Sequence, residues 1–224
     1  MQRIVVLNPK GGSGKTTIAT NLASHFALSG EASVLMDNDV QGSSAHWVRL
    51  RADTQAPIHL ISFEWQFPKG AGRGIVDTPA AVEAAEMPEL TRSADKILVP
   101  VLPSAIDIRA CSRLVQNLLL VAKVHRSENR LGIIANRVRR NTLSSQALLR
   151  FLDTLGVPIV ATLRDSQSYA RAAELGLGLE EMNPYHVADD LAQWQSLFDW
   201  LEMPSSRHRS SATSGLNSTS SLRI

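Results

Sequence analysis

The stretch Arg3 to Thr17, RIVVLNPKGGSGKTT, decides the reading of the chain. A short apolar run, Arg3 to Leu7, stops at Asn8-Pro9. The glycine-rich string Lys10-Gly11-Gly12-Ser13-Gly14-Lys15-Thr16-Thr17 follows and opens a segment, Thr16 to Ser29, with helical spacing. Three glycines let the backbone curl until successive N–H groups face one anion, and the helix N-terminus adds its dipole there. Lys15 is long enough to reach the outer phosphates of a nucleotide, and the Thr16 hydroxyl suits Mg²⁺. Strand, loop and helix in this order predict a phosphate cradle.

Further along the chain the same alternation continues. Ala32–Met36, Ile58–Ile61, Arg73–Val76, Lys96–Val101, Leu131–Ala135 and Pro158–Ala161 are brief, apolar and non-alternating, as strands buried on both faces of a parallel sheet are. Helical spacing is expected over Ala81–Arg92, Ile106–Val124, Thr142–Leu155 and Val187–Leu201, with Thr142 as a cap. The fold class is therefore α/β: a single-domain, open, mainly parallel twisted sheet with helices on both faces. One domain over residues 1–203 fits the length of 224, and a Ser/Arg-rich tail, 204–224, reads as disordered. Trp47, Trp65, Trp194 and Trp200 are expected in or near the core.

The formal charge of +2 hides a sorted distribution. Residues 123–150 carry seven cations against Glu128 alone, while residues 174–203 carry seven acids and no Lys or Arg. Of 23 cations, 18 are Arg, whose planar fork suits phosphate and carboxylate. The acidic stretch would either neutralise part of the basic one, receive a basic partner peptide, or stand as a solvated face. A single cysteine, Cys111, excludes an intrachain disulfide and a single-chain cysteine-cluster metal site. With no apolar run near 18 residues and no signal peptide, the chain is expected to be cytoplasmic and off the membrane.

Two further strands end in acids. Val34-Leu35-Met36-Asp37-Asn38-Asp39-Val40-Gln41-Gly42 puts Asp37 and Asp39 on one side by period-2 alternation, and Gly74-Ile75-Val76-Asp77-Thr78-Pro79 ends in Asp77. Pro9 stands where the usual phosphate loop has its first glycine, and Lys10 is an extra lysine. This K-G-G-x-G-K-T-T string is similar to the deviant Walker A motif, and the chain resembles the ParA/MinD class of P-loop ATPases over residues 1 to about 180. The resemblance implies ATP and Mg²⁺ as ligands. It assigns the loop Lys10, Gly11, Gly12, Ser13, Gly14, Lys15, Thr16 and Thr17 to the nucleotide, with Lys10 crossing to the ATP of a partner subunit. A second ammonium beside a triphosphate also lowers charge repulsion on physical grounds alone. By the same resemblance Asp39 polarises the attacking water, Thr16, Asp37 and Asp77 serve Mg²⁺, the loop Thr78–Ala84 senses the terminal phosphate, and Asn136 contacts adenine. Val40 replaces the proline usual in the D-x-D-P-Q-G segment.

The function this implies is a Mg-dependent, slow ATPase that forms an ATP-sandwich dimer. It would bind non-specific nucleoid DNA through Arg137, Arg139, Arg140 and Arg150, with Arg164 and Arg171 adjoining. A ParB-like adaptor would stimulate hydrolysis as the dimer segregates a plasmid or chromosome. The alternatives are positioning of carboxysomes or another protein cargo, and a regulatory nucleotide-binding module with little turnover.

Overall fold

The computed structural model describes residues 1–62, 67–80 and 82–205. Its strands are β1 (Gln2–Val6), β2 (Ser33–Asp37), β3 (Ile58–Ser62), β4 (Arg73–Asp77), β5 (Lys96–Val101), β6 (Leu131–Val138) and β7 (Ile159–Arg164). Each overlaps a segment expected to be a strand from the sequence. They form one sheet in the order β3-β2-β4-β1-β5-β6-β7, and every pairing is parallel. The chain steps from β1 out to β2 and β3, returns through β4, then crosses β1 to build β5, β6 and β7. The winding therefore reverses at β1. In open parallel sheets such a reversal opens a crevice beyond the carboxyl ends of the central strands, and the glycine loop follows β1 there.

The helices are α1 (Lys15–Leu28), α2 (Ser43–Leu50), α3 (Met87–Arg92), α4 (Ala105–Leu120), α5 (Leu143–Thr154), α6 (Gln167–Glu174), α7 (Pro184–Ala192) and α8 (Gln195–Glu202). Pleating sends Ile4 and Val6 to one face and Val5 and Leu7 to the other, so β1 feeds two cores. The first core joins the sheet to α1, α2, α6, α7 and α8, and the second joins it to α3, α4 and α5.

Several expectations need correction. The segment Ala81–Arg92 yields a helix only from Met87. Val187–Leu201 is two helices, because the chain turns at Gln193-Trp194. The Gln193 and Trp194 N–H groups close three-residue turns onto Asp190 O and Leu191 O, and the Trp194 indole then donates to the Tyr169 hydroxyl at 3.0 Å. That turn buries Trp194, which an unbroken helix would point along a single stripe. Two short helices, α2 and α6, escape sequence reading because each buries few apolar side chains; α6 buries only Ala172. Trp47, Trp194 and Trp200 are buried as expected, while Trp65 lies outside the described residues. Pro204 and Ser205, placed in the tail by composition, belong to the described body, and Ser205 is buried. The rest of the tail, 206–224, lies outside the described residues.

Because Trp194 fills the first core and satisfies its indole N–H, Trp194→Ala should lower the unfolding free energy by about 3–5 kcal/mol. Urea denaturation followed by circular dichroism measures this; a loss below about 1 kcal/mol would place Trp194 outside the core.

Candidate functional site

The site is built where β1, β2, β4 and β5 end. Gly12 and Gly14 take left-handed φ values of 75° and 96°, which side chains disfavour, so the loop can fold back on itself before α1 starts. Gly14 is the N-cap residue of α1, without a side chain to cap it, and leaves the first-turn N–H groups facing the crevice. Lys15, buried, donates to Lys10 O at 3.3 Å. Burial pushes its ammonium below the ordinary lysine range, and the nearby charges of Asp77 and Asp39 oppose that shift. An anion entering the loop supplies the compensation the site lacks.

Three carboxylates surround the loop, and they are held differently. On Asp37, Oδ1 accepts the Asp39 N–H at 3.0 Å and Oδ2 accepts the Ala45 N–H at 2.7 Å, so the side chain caps α2. Asp39, half-buried, takes the Gln41 N–H, and Val40 beyond it is 89% exposed. Asp77 has no such backbone support. Its Oδ2 receives the hydroxyls of Thr16 at 2.7 Å and Ser44 at 2.6 Å, and its buried Oδ1 has no partner among the described residues. Burial raises its carboxyl to about 6, with Asp37 adding repulsion and the two hydroxyls and Lys15 opposing the shift.

Lys10 stands at the loop mouth. Its Nζ donates to Asp107 Oδ2 at 2.6 Å, and Asp107 is buried at the start of α4 beside its N-cap residue, Ser104. Asn8 fixes the entry, accepting the Lys10 N–H at 2.9 Å while its amide donates to Pro100 O at 2.6 Å. Asn136 donates to Ser13 O at 2.8 Å. Beside it opens a cleft of about 260 Å³ lined by Thr17, Asn136, Arg137, Asp165, Gln167 and Tyr169. A larger cavity, about 590 Å³, borders the amino ends of β2 and β3 and contains none of the loop residues. Ser44, Asn8 and Asp107 were not anticipated; the partners of Ser44 and Asp107 lie 33 and 97 residues away, where no local pattern points.

The basic stretch 123–150 does not form one patch. Lys123 and Arg126 precede β6 and Arg137, Arg139 and Arg140 lie at its far end, roughly 23 Å away at ordinary strand rise. Arg130 is buried and spent on Thr91 O, Ala94 O and Glu128. Arg139 pairs with Asp165 at 2.7 Å, and Arg164 is taken by Asp190 at 2.5 Å. Arg137 and Arg140, both exposed, make no side-chain hydrogen bond or ion pair among the described residues, while Arg150 touches only its own helix at Gln146 O. The acidic stretch turns out to serve the body: Glu181 grips Arg51, Asp190 grips Arg164, Glu202 grips Arg73 and Glu180 meets His25.

The model of the CobQ/CobB/MinD/ParA nucleotide-binding domain matches residues 4–179, which include every element of this site. The chain belongs to that family. A relative similar along most of its length is the maintenance of carboxysome distribution protein A of Halothiobacillus neapolitanus, 28% identical over 203 residues, covering 85% of this chain and 93% of that one. The chromosome-partitioning ATPase Soj of Thermus thermophilus is 41% identical over 64 residues, 29% of this chain and 25% of its own. The solved structure of apo McdA from Cyanothece superposes with a TM-score of 0.73 at 17% identity, covering 90% of this chain and 99% of that chain, and shows the same fold.

Asp77 lets its proton and its stability be tied together. Its folded value, about 6, lies above the unfolded 3.8, so the fold is favoured below pH 3.8 and loses that advantage as pH rises through 6. Asp77→Asn removes the penalty and should stabilise the protein at pH 8 by on the order of 2 kcal/mol, the gain shrinking towards pH 4. Paired urea titrations at the two pH values measure it; an equal gain at both would refute the buried, uncompensated carboxylate.

Proposed function

We propose that this protein is an ATPase of the positioning type, which binds ATP with Mg²⁺, pairs with a second copy of itself and distributes a cargo over nucleoid DNA. The observation that carries the proposal is the arrangement at the loop: a glycine cradle, the buried Lys15, and a second lysine, Lys10, at its mouth. The loop N–H groups and Lys15 hold the phosphates. Thr16 and Asp77 hold the cation: the unpartnered Asp77 Oδ1 and the raised carboxyl are what a divalent ion would correct. Held by these residues, Mg²⁺ would supply positive charge against that developing on the phosphoryl group. Asp37 supports the cation by holding α2, and with it Ser44, in place. Asp39, on a turn of its own making, orients water toward the terminal phosphate, and the loop after Asp77 senses whether that phosphate is present. The base occupies the cleft beside Asn136. Lys10 must leave Asp107 to reach the phosphates of a partner's ATP, so nucleotide and dimer form together.

DNA contact rests on Arg137 and Arg140, with Arg139 next to them and Arg150 further along α5. Arg137 and Arg140 sit at the same end of the sheet as the nucleotide, and unpaired guanidinium groups suit phosphate oxygens without reading sequence. For the cargo, similarity over 85% of the chain to a carboxysome distribution protein supports a carboxysome or comparable protein body. This is the alternative cargo of the sequence reading. The plasmid or chromosome that it ranked first has support over 29% of the chain. An adaptor on the cargo stimulates turnover.

With ATP and Mg²⁺, the protein should retain random-sequence duplex DNA at low salt and release it as salt rises, and Lys10→Ala should retain none. Arg140→Ala should weaken binding for all sequences alike and lower the salt slope by about one. Filter binding across a salt series gives all three results. Failure of the wild-type protein to hold DNA, or full retention by Lys10→Ala, would overturn the proposal.

A further inference from the structure

Asn136 lies two strands away from β1, yet it touches the glycine loop. What brings it there is an irregularity in β6. The β6–β7 pairing runs Ala135 to Thr162 and then Val138 to Arg164, three steps against two, so β6 carries one extra residue. Arg137, inside that bulge, sits at φ 51°, a left-handed conformation rare for a side chain that branches into nothing local. Bulges of this kind re-aim a neighbouring side chain and concentrate beside functional sites. Here the re-aimed side chain is Asn136.

Each end of its amide has a partner within the protein. Nδ2 donates to Ser13 O at 2.8 Å, Oδ1 accepts the Arg137 N–H at 3.0 Å, and the side chain is buried. It also occupies the space over Gly14: a Cβ there would come within 2.2 Å of Nδ2. Ser13 O belongs to the Ser13–Gly14 peptide, which is planar and trans, so its C=O and N–H point in opposite directions. Pulling the carbonyl toward β6 turns the Gly14 N–H away from β6.

We infer that Asn136 is a positioning residue for the phosphate loop: the β6 bulge aims its amide at Ser13 O, and this bond sets the Gly14 peptide in the orientation that receives phosphate. Its effect is blind to the base. The inference rests on the nucleotide-binding reading above, and it reassigns the residue that family resemblance gives to adenine.

Two measurements test it on the full chain. In amide hydrogen exchange without nucleotide, Asn136→Ala and the isosteric Asn136→Asp, which keeps the shape but loses the donor, should both speed exchange in residues 11–16 while the melting temperature holds. A residue that merely packs would leave exchange unchanged in the Asp variant, which would overturn the inference. In calorimetry with Mg²⁺, Asn136→Ala should weaken ATP and inorganic triphosphate, which has no base, by the same factor, roughly three- to tenfold. A loss confined to ATP would return Asn136 to base recognition and overturn the inference; so would no loss for either ligand. If the wild-type protein binds neither ligand, the nucleotide reading itself falls, and the exchange result still decides whether the bond holds the loop.

Discussion

A carboxylate withdrawn from water needs compensation, and for Asp77 two hydroxyls and the nearby charge of Lys15 do not outweigh its burial. The site is organised around that deficit. Thr16 brings the first turn of α1 to the end of β4, and Ser44 brings α2 to the same oxygen, so one side chain ties together the loop helix, its neighbour and the sheet. Asp37 is its register partner on β2 and is treated in the opposite way, with a backbone N–H on each oxygen. Backbone hydrogen bonds on both oxygens fix the Asp37 side chain in place, whereas at Asp77 burial outweighs the two hydroxyls and pushes the carboxyl up. Adjacent strand ends thus present a carboxylate that fastens the fold and one with a buried oxygen that has no partner among the described residues.

Charge elsewhere follows a similar division between fastening and function. Arg51 and Glu181 are both buried and bond through two parallel contacts, joining α2 to the turn after α6. Arg73 collects Glu31 and Glu202, and Arg164 collects Asp190. These pairs use three of the seven acids of the acidic stretch and three arginines from outside the basic one. Arg137 and Arg140, without a side-chain hydrogen bond or ion pair among the described residues, are grouped at the carboxyl end of β6, near the nucleotide loop. Proximity of that sort is what a nucleotide-dependent DNA surface requires.

The sheet was legible because burial on both faces leaves a central strand nearly all apolar, as in 97–101 of β5, where every residue is apolar and buried. The loop was legible because glycine and lysine at those spacings have few other uses. Short helices were not: α6 shows the solvent seven of its eight residues wholly or in part. Nor were pairings across distance. Nothing in the sequence near Asp107 marks it as the partner of Lys10, and no run of residues around Arg137 signals a bulge. The charge count over 123–150 was real but misleading as a surface, because a strand through its middle carries its two ends apart and buries Arg130.

The central claim is that nucleotide binding and self-association are one event, made so by a lysine that satisfies its own subunit's Asp107 until a partner's phosphates are present. The most direct measurement is the solution mass of the protein, 24.4 kDa as a single chain, by light scattering with ATP and Mg²⁺ and then with ADP and Mg²⁺. The account predicts a mass that doubles with ATP and stays that of one chain with ADP. A mass indifferent to the nucleotide, whether single or doubled, would contradict it.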